Sequence, residues 1–194
     1  MTRRTQIAVL VLALVATAFL AAQAGAASKP IPWSTLKGLQ TGPPPWNSGT
    51  RDLTSRLRPL GLSPLPQEGQ VLHIHQHLDL YVNARKVVLP AFVGINIPKR
   101  YITEVHTHDP SGVIHVESPT ARNFTLGQLF GEWGVKLTAS CVGRYCGHVR
   151  WWVNGQQVTG DPARLVLRAH QEIAIAAGPP PLVVPKSYAF PAGE

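Results

Sequence analysis

Residues 71–82 read Val71-Leu72-His73-Ile74-His75-Gln76-His77-Leu78-Asp79-Leu80-Tyr81-Val82, and their alternation decides the fold class. Side chains along a β-strand point to opposite faces with a period of two. His73, His75, His77 and Asp79 therefore share one face. Leu72, Ile74, Leu78, Leu80 and Val82 share the other, interrupted only by Gln76. A strand with one apolar face needs a core behind it. A second stretch repeats the pattern: Val105-His106-Thr107-His108-Asp109-Pro110-Ser111-Gly112-Val113-Ile114-His115-Val116-Glu117. Six of the eight histidines lie in these two stretches.

Asp109-Pro110-Ser111-Gly112 is a four-residue turn signal, with Pro suited to its second position and Gly to its fourth. A turn there places His108 opposite Val113 and His106 opposite His115. Cross-strand neighbours on one face have Cβ atoms about 4.5–5.5 Å apart. His106, His108 and His115 then form a compact trio, with Glu104 and Glu117 further along the same face. The other stretch should turn at Asn83-Ala84-Arg85 and return as a strand over residues 86–97, with Pro90 marking a bulge or an edge.

The flanking segments complete a mainly β (α+β) reading. Residues 48–60 predict a short helix, with Leu53, Leu57 and Leu60 on one side and Pro59 and Gly61 at its end. Residues 124–133 predict a second, capped by Thr125 and stopped by Gly134. Asn154-Gly155 is a strong hairpin signal, and residues 172–176 read as a last strand. From residue 101 onward the order is strand, strand, helix, hairpin, strand, the order of a β-grasp core. The stretch Trp152-Val153-Asn154-Gly155 through Glu172-Ile173-Ala174-Ile175 resembles the C-terminal half of ubiquitin-like sulfur carriers. Their terminal Gly-Gly is absent, so the resemblance implies fold alone. The expected organisation is a signal peptide over 1–27, a Pro-rich spacer and short helix over 28–68, and a His-rich β domain over 69–178. Within that domain, 101–178 is β-grasp-like and an added N-terminal hairpin precedes it. A Pro-rich tail covers 179–194.

Residues 1–27 carry Arg3 and Arg4, an apolar run over 7–22 and a small-residue cleavage region, which predicts an export signal. The apolar run is shorter than the roughly 20 residues that span a bilayer, favouring cleavage over anchoring. Formal net charge is +8, and losing Arg3 and Arg4 leaves +6. The remaining basic residues are scattered, without the basic-aromatic interleaving of nucleic-acid binders. Nucleic acid is therefore not an expected partner, while a peripheral contact with an anionic envelope surface is compatible with the charge.

The histidines suggest transition-metal binding. Next-but-one strand residues lie about 6.8 Å apart at Cα, so a His-x-His pair can converge on one ion. His73 and His77 are about twice as far apart, so three histidines of one flat strand do not reach one ion together; either two of them ligate and the third only supports the ligands, or there are two adjacent sites. The candidate ligands are His73, His75, His77, His106, His108 and His115, the simplest arrangement having the two trios face each other across one pocket. Asp79 and Glu117 are candidates to orient the imidazoles. Imidazole-rich ligation suits copper or zinc, with iron and nickel also compatible, and disfavours calcium and magnesium. The expected function is an exported copper or zinc carrier or sink. A metalloenzyme with an open coordination position and a pH-sensing envelope module are the alternatives. Cys141 and Cys146 are expected to form a disulfide in an oxidising compartment, although a reduced pair at this spacing would suit Cu(I).

From about Thr50 onward the chain resembles a family of uncharacterised exported bacterial proteins. The motifs that carry the likeness are Glu68-Gly69, His73-x-His75-x-His77-Leu78, Pro90-Ala91 with Gly94-Ile95, and His106-Thr107-His108-Asp109 with Gly112-Val113-Ile114-His115-Val116-Glu117-Ser118. Thr125-Leu126-Gly127-Gln128, Trp133-Gly134, the cysteine pair, Val153-Asn154-Gly155 and His170-Gln171-Glu172-Ile173 follow. Ala84 departs from the Gly more usual in the first hairpin. The resemblance implies export and a common fold and leaves the chemistry open.

Overall fold

The alternating stretch forms the longest strand, β1 (Leu72–Val82), and the sheet is built around it. The computed structural model describes residues 29–194; the expected export signal lies outside them. Among the described residues no helix is long and apolar enough to cross a membrane. After β1 come β2 (Arg85–Val87), β3 (Ile95–Asn96), β4 (Tyr101–Ile102), β5 (Val105–His106) and β6 (Val113–Ser118). Helix α1 (Leu53–Leu60) precedes β1, and α2 (Leu126–Trp133) follows β6. The chain continues through β7 (Cys141–Val142), β8 (Tyr145–Cys146), β9 (Val149–Val153), β10 (Gln156–Val158) and β11 (Glu172–Ala177).

Seven strands form the main sheet in the order β10-β9-β11-β1-β6-β5, with β2 also paired to β1. β1 runs parallel to β11, Leu78 lying beside Ile173, and antiparallel to β6, His75 lying beside His115. A parallel central pair flanked by antiparallel partners, with a helix between the halves, is the β-grasp arrangement. The class is therefore mainly β with two short helices, as expected. One boundary differs. β1 does form the expected hairpin with β2, but it is also the sheet's central strand, so the grasp begins at Leu72 and not at Tyr101. Residues 83–112 are inserted between its first two strands. Pairing across so long an insertion leaves no local mark in the sequence.

Each face of β1 has its own cover. Leu78, Leu80 and Val82 join Ile114, Val116, Ile173 and Ile175 in one apolar core beneath the two helices. All eight residues of α2 are buried. Its start is fixed by Gln128 Oε1, which accepts the Thr125 backbone N–H at 2.8 Å, and its end by Gly134 at φ +75°. The Pro-rich segment before α1 is strapped onto α2. Trp46 meets Trp133 edge-on at 5.6 Å between ring centroids, and the Trp133 indole donates to Asn47 O at 2.8 Å. The Pro-rich tail covers the other face, where Val184 packs with Trp152, Ala174 and Ala176.

Two expected strands are interrupted. Of residues 86–97, only the first few continue the hairpin, because Phe92 and Gly94 turn the chain with φ of +65° and +75°. Residues 101–108 break at Thr103-Glu104, where Thr103 Oγ1 lies 3.0 Å from both Gly94 O and Val105 O. Glu104 therefore leaves the histidine face, accepting from Ser63 N at 2.9 Å and pairing with Arg122 at 3.0 Å. A Cβ on Gly94 would lie 2.4 Å from Val105 O, so only glycine lets this loop press against β5. Asn83 and Ala84 form the first hairpin turn with φ of +50° and +63°, the left-handed pair that a two-residue hairpin needs. Cys141 and Cys146 are cross-strand partners of the β7–β8 hairpin and are joined by a disulfide.

Candidate metal centre

Strand register assembles the histidines. His75, His115 and His106 lie directly across from one another on β1, β6 and β5. His73 and Glu117 form the neighbouring row. The two trios are thus side by side on one sheet face, and do not oppose each other across a pocket between hairpins. The predicted His106–His115 pairing is present.

The ligand atoms fall into two sets around Glu117. His106, His108, His115 and Glu117 each offer an atom within 4.8 Å of the others, and so do His73, His75 and Glu117. Either set could hold a metal ion. His106 Nε2 lies 3.2 Å from His108 Nε2, and His73 Nε2 lies 3.2 Å from His75 Nε2. Glu117 Oε1 is 3.3 Å from His73 Nε2 and 3.2 Å from His115 Nδ1. Its Oε2 is buried without a hydrogen-bond partner, 3.8 Å from His106 Nε2.

Burial prepares these groups for ligation. His106 Nδ1 donates to Thr103 O at 2.9 Å, leaving the Nε2 lone pair directed at His108 and Glu117. Burial lowers the His106 pKa to about 3. Burial, then the neighbouring His115 and His73, lowers that of His75 to about 4. Both imidazoles are neutral at pH 7, the state in which they bind metals. Burial opposes the charge of Glu117, but the His115 hydrogen bond and the surrounding imidazoles outweigh it and hold the carboxyl at about 2. His73 and His108 lie at the open edge, with side chains 45% and 40% exposed.

His77 stands apart. Its Nδ1 is 2.8 Å from Glu172 Oε2 and its Nε2 3.1 Å from Ser111 O, while Tyr188 stacks on the ring at 3.8 Å. A carbonyl only accepts, so Nε2 donates to Ser111 O while Nδ1 hydrogen-bonds the Glu172 carboxyl. Burial raises the pKa of that carboxyl. Although His77, Asp79 and Glu172 also lie within 4.8 Å, both ring nitrogens are committed, and Asp79 pairs with Lys86 at 2.5 Å. Asp79 lies 3.9 Å from His77 and does not orient the other imidazoles. A Cβ on Gly112 would meet His77 Nε2 at 2.7 Å, so the turn closes onto the ring only with glycine. His77→Ala is expected to lower unfolding free energy by about 2–4 kcal/mol in urea titration, through loss of buried hydrogen bonds, the unpaired Glu172 left behind and lost tail packing. A loss below about 0.5 kcal/mol would show that His77 is no structural node.

Three neighbours of the histidines are not marked by local spacing. His170 lies beside His73 and His75 at a pocket that Glu194 also lines, and Glu68 Oε1 is 3.4 Å from His108 Nε2. Glu172 reaches His77 through the parallel β1–β11 pairing. Neither the pairing nor these contacts follow from local spacing, although Glu68, His170 and Glu172 all stand in the motifs quoted above. A roomier groove lined by Pro44, Val82, Arg85, Val88 and Tyr145 carries no histidine, so cavity size does not locate the centre. No family model, curated protein or solved structure matches the chain.

Proposed function

We infer that the protein is an exported binder of a first-row transition metal, a carrier or sink for copper or zinc. The observation that carries this reading is the set His106, His108, His115 and Glu117, all but His108 buried, with ligand atoms within 4.8 Å of one another on β5, β6 and the adjoining turn. Such a set is costly to bury without an occupant, because Glu117 Oε2 has no partner. Three imidazoles and one carboxylate suit zinc, copper, nickel or iron and do not suit magnesium or calcium. Export is proposed from the charged and apolar pattern of residues 1–27, and kinship with the exported bacterial family rests on the quoted motifs.

The test is metal analysis of protein purified without a His-tag, followed by titration with Zn(II) and Cu(II). Near-stoichiometric uptake is expected, with affinity reduced at least about tenfold in His106→Ala. Uptake below about 0.2 equivalents of either ion would overturn the reading.

A further inference from the structure

We propose that the centre is dinuclear, with Glu117 as a carboxylate bridge between two ions. One ion is held by His73, His75 and Glu117, the other by His106, His108, His115 and Glu117. The proposal rests on the metal-binding reading above and adds a stoichiometry, a division of ligands and a role for the one carboxylate among them.

Distances carry it. A tetrahedral ion bonded at about 2.0–2.1 Å to nitrogen sets its ligand atoms about 3.3–3.4 Å apart. His73 Nε2 and His75 Nε2 are 3.2 Å apart, and His73 Nε2 and Glu117 Oε1 3.3 Å apart. His75 Nε2 to Glu117 Oε1 is 3.9 Å. On the other side, His106 Nε2 and His108 Nε2 are 3.2 Å apart, and His106 Nε2 and Glu117 Oε2 3.8 Å. Each pair of histidines therefore already has the spacing of two ligands on one ion, with a different oxygen of the same carboxylate beside it. His73 stands beyond His75 in the Glu117 row, and His108 follows His106 toward the turn, so the two pairs approach the three-histidine row from opposite ends.

Burial supplies the second observation. Glu117 is 3% exposed, and its Oε2 lacks any hydrogen-bond partner. A buried carboxylate oxygen without a partner is costly, and an ion on the His106 side relieves it. Oε1 lies close to His73 and His75, and its 3.2 Å contact with His115 Nδ1 ties an imidazole of the other set to the same carboxylate. A carboxylate bridging two ions places them about 3.5–4 Å apart in known two-metal sites. The histidine sets leave outward positions at His73 and His108, the two exposed imidazoles. The His73, His75 and Glu117 set supplies three ligands, so water or a small anionic ligand can complete that ion from solvent, whereas the four residues of the other set close a tetrahedral shell.

Zn(II) stoichiometry by equilibrium dialysis and elemental analysis, with Cu(II) electron paramagnetic resonance on the same full chain, tests the proposal. The protein is expected to hold two equivalents of Zn(II). His73→Ala removes an exposed side chain and is expected to leave one tight equivalent and weaken the other at least tenfold. His108→Ala should do the converse. Two equivalents of Cu(II) are expected to give an exchange-coupled pair with reduced or split signal, and Glu117→Ala to give uncoupled copper or single occupancy. A protein that takes one equivalent, weakened by both His73→Ala and His108→Ala, overturns the dinuclear proposal while leaving metal binding standing. So do two equivalents with uncoupled Cu(II) spectra unchanged by Glu117→Ala. No uptake at all would overturn the metal-binding reading itself.

Discussion

Lowering the pH of the metal-free protein from 7 to 4 is expected to remove on the order of 5 kcal/mol contributed by His75 and His106 together, at about 1.4 kcal/mol per pKa unit. In the unfolded chain both titrate near 6.5, whereas in the fold His75 is lowered to about 4 and His106 to about 3. Below pH 6.5 the unfolded chain takes up protons that the folded chain refuses. Stability therefore falls as pH drops from 6.5 toward 3–4. Glu117 extends the loss: its folded pKa of about 2 lies below the ordinary 4.5, so its contribution disappears between those values. Glu132 and Glu172 act the other way, because burial raises their pKa values and their cost is relieved as pH falls toward 4.5. The histidine part is isolated by comparing urea unfolding at pH 7 and pH 4 for the protein and for a His75→Gln/His106→Gln variant, which cannot titrate there. The parent should lose several kcal/mol more than the variant. Equal losses would mean that these imidazoles are not held neutral by the fold.

This behaviour is partly legible in the sequence, and β1 shows how far. Its alternation predicts one histidine face and one apolar face, and both are present, because a period of two is imposed by backbone geometry alone. The Asp109-Pro110-Ser111-Gly112 turn predicts His106 opposite His115, because a local turn sets register. What fails is long-range. The pairing of β1 with β6 spans residues 83–112, and the parallel pairing with β11 joins His77 to Glu172 across most of the domain. Neither leaves a period or a turn residue to read. Glu104 illustrates a different failure. Strand parity puts it beside Glu117, but the break held by Thr103 Oγ1 rotates it toward Arg122. Glu117, expected only to orient imidazoles, stands between the two ligand sets, a position that depends on three strands at once.

Trp133→Ala is expected to cost about 3–5 kcal/mol, as large aromatic truncations in packed cores do, while leaving metal stoichiometry unchanged. The side chain is fully buried. It supports the Trp46 edge contact and donates to Asn47 O at 2.8 Å, so its loss opens a cavity and releases one anchor of the strap. The backbone ties at Gln40 persist, since Gln40 N reaches Gly134 O and its side chain reaches Trp133 O, both at 2.7 Å. The expected result is therefore a less stable protein that still folds. Independence of the metal centre follows from strand parity. Trp133 lies with the apolar face of the sheet, whereas His75, His106, His115 and Glu117 project from the opposite face and take their positions from strand register. Chemical denaturation measures the first effect, and Zn(II) uptake at a temperature where the variant is folded measures the second. A cost below about 1 kcal/mol would contradict the packing described for α2. A folded variant that no longer takes up Zn(II) would show that the helix layer, and not sheet register alone, sets the ligand geometry. That outcome would move the origin of the site from backbone periodicity to core packing.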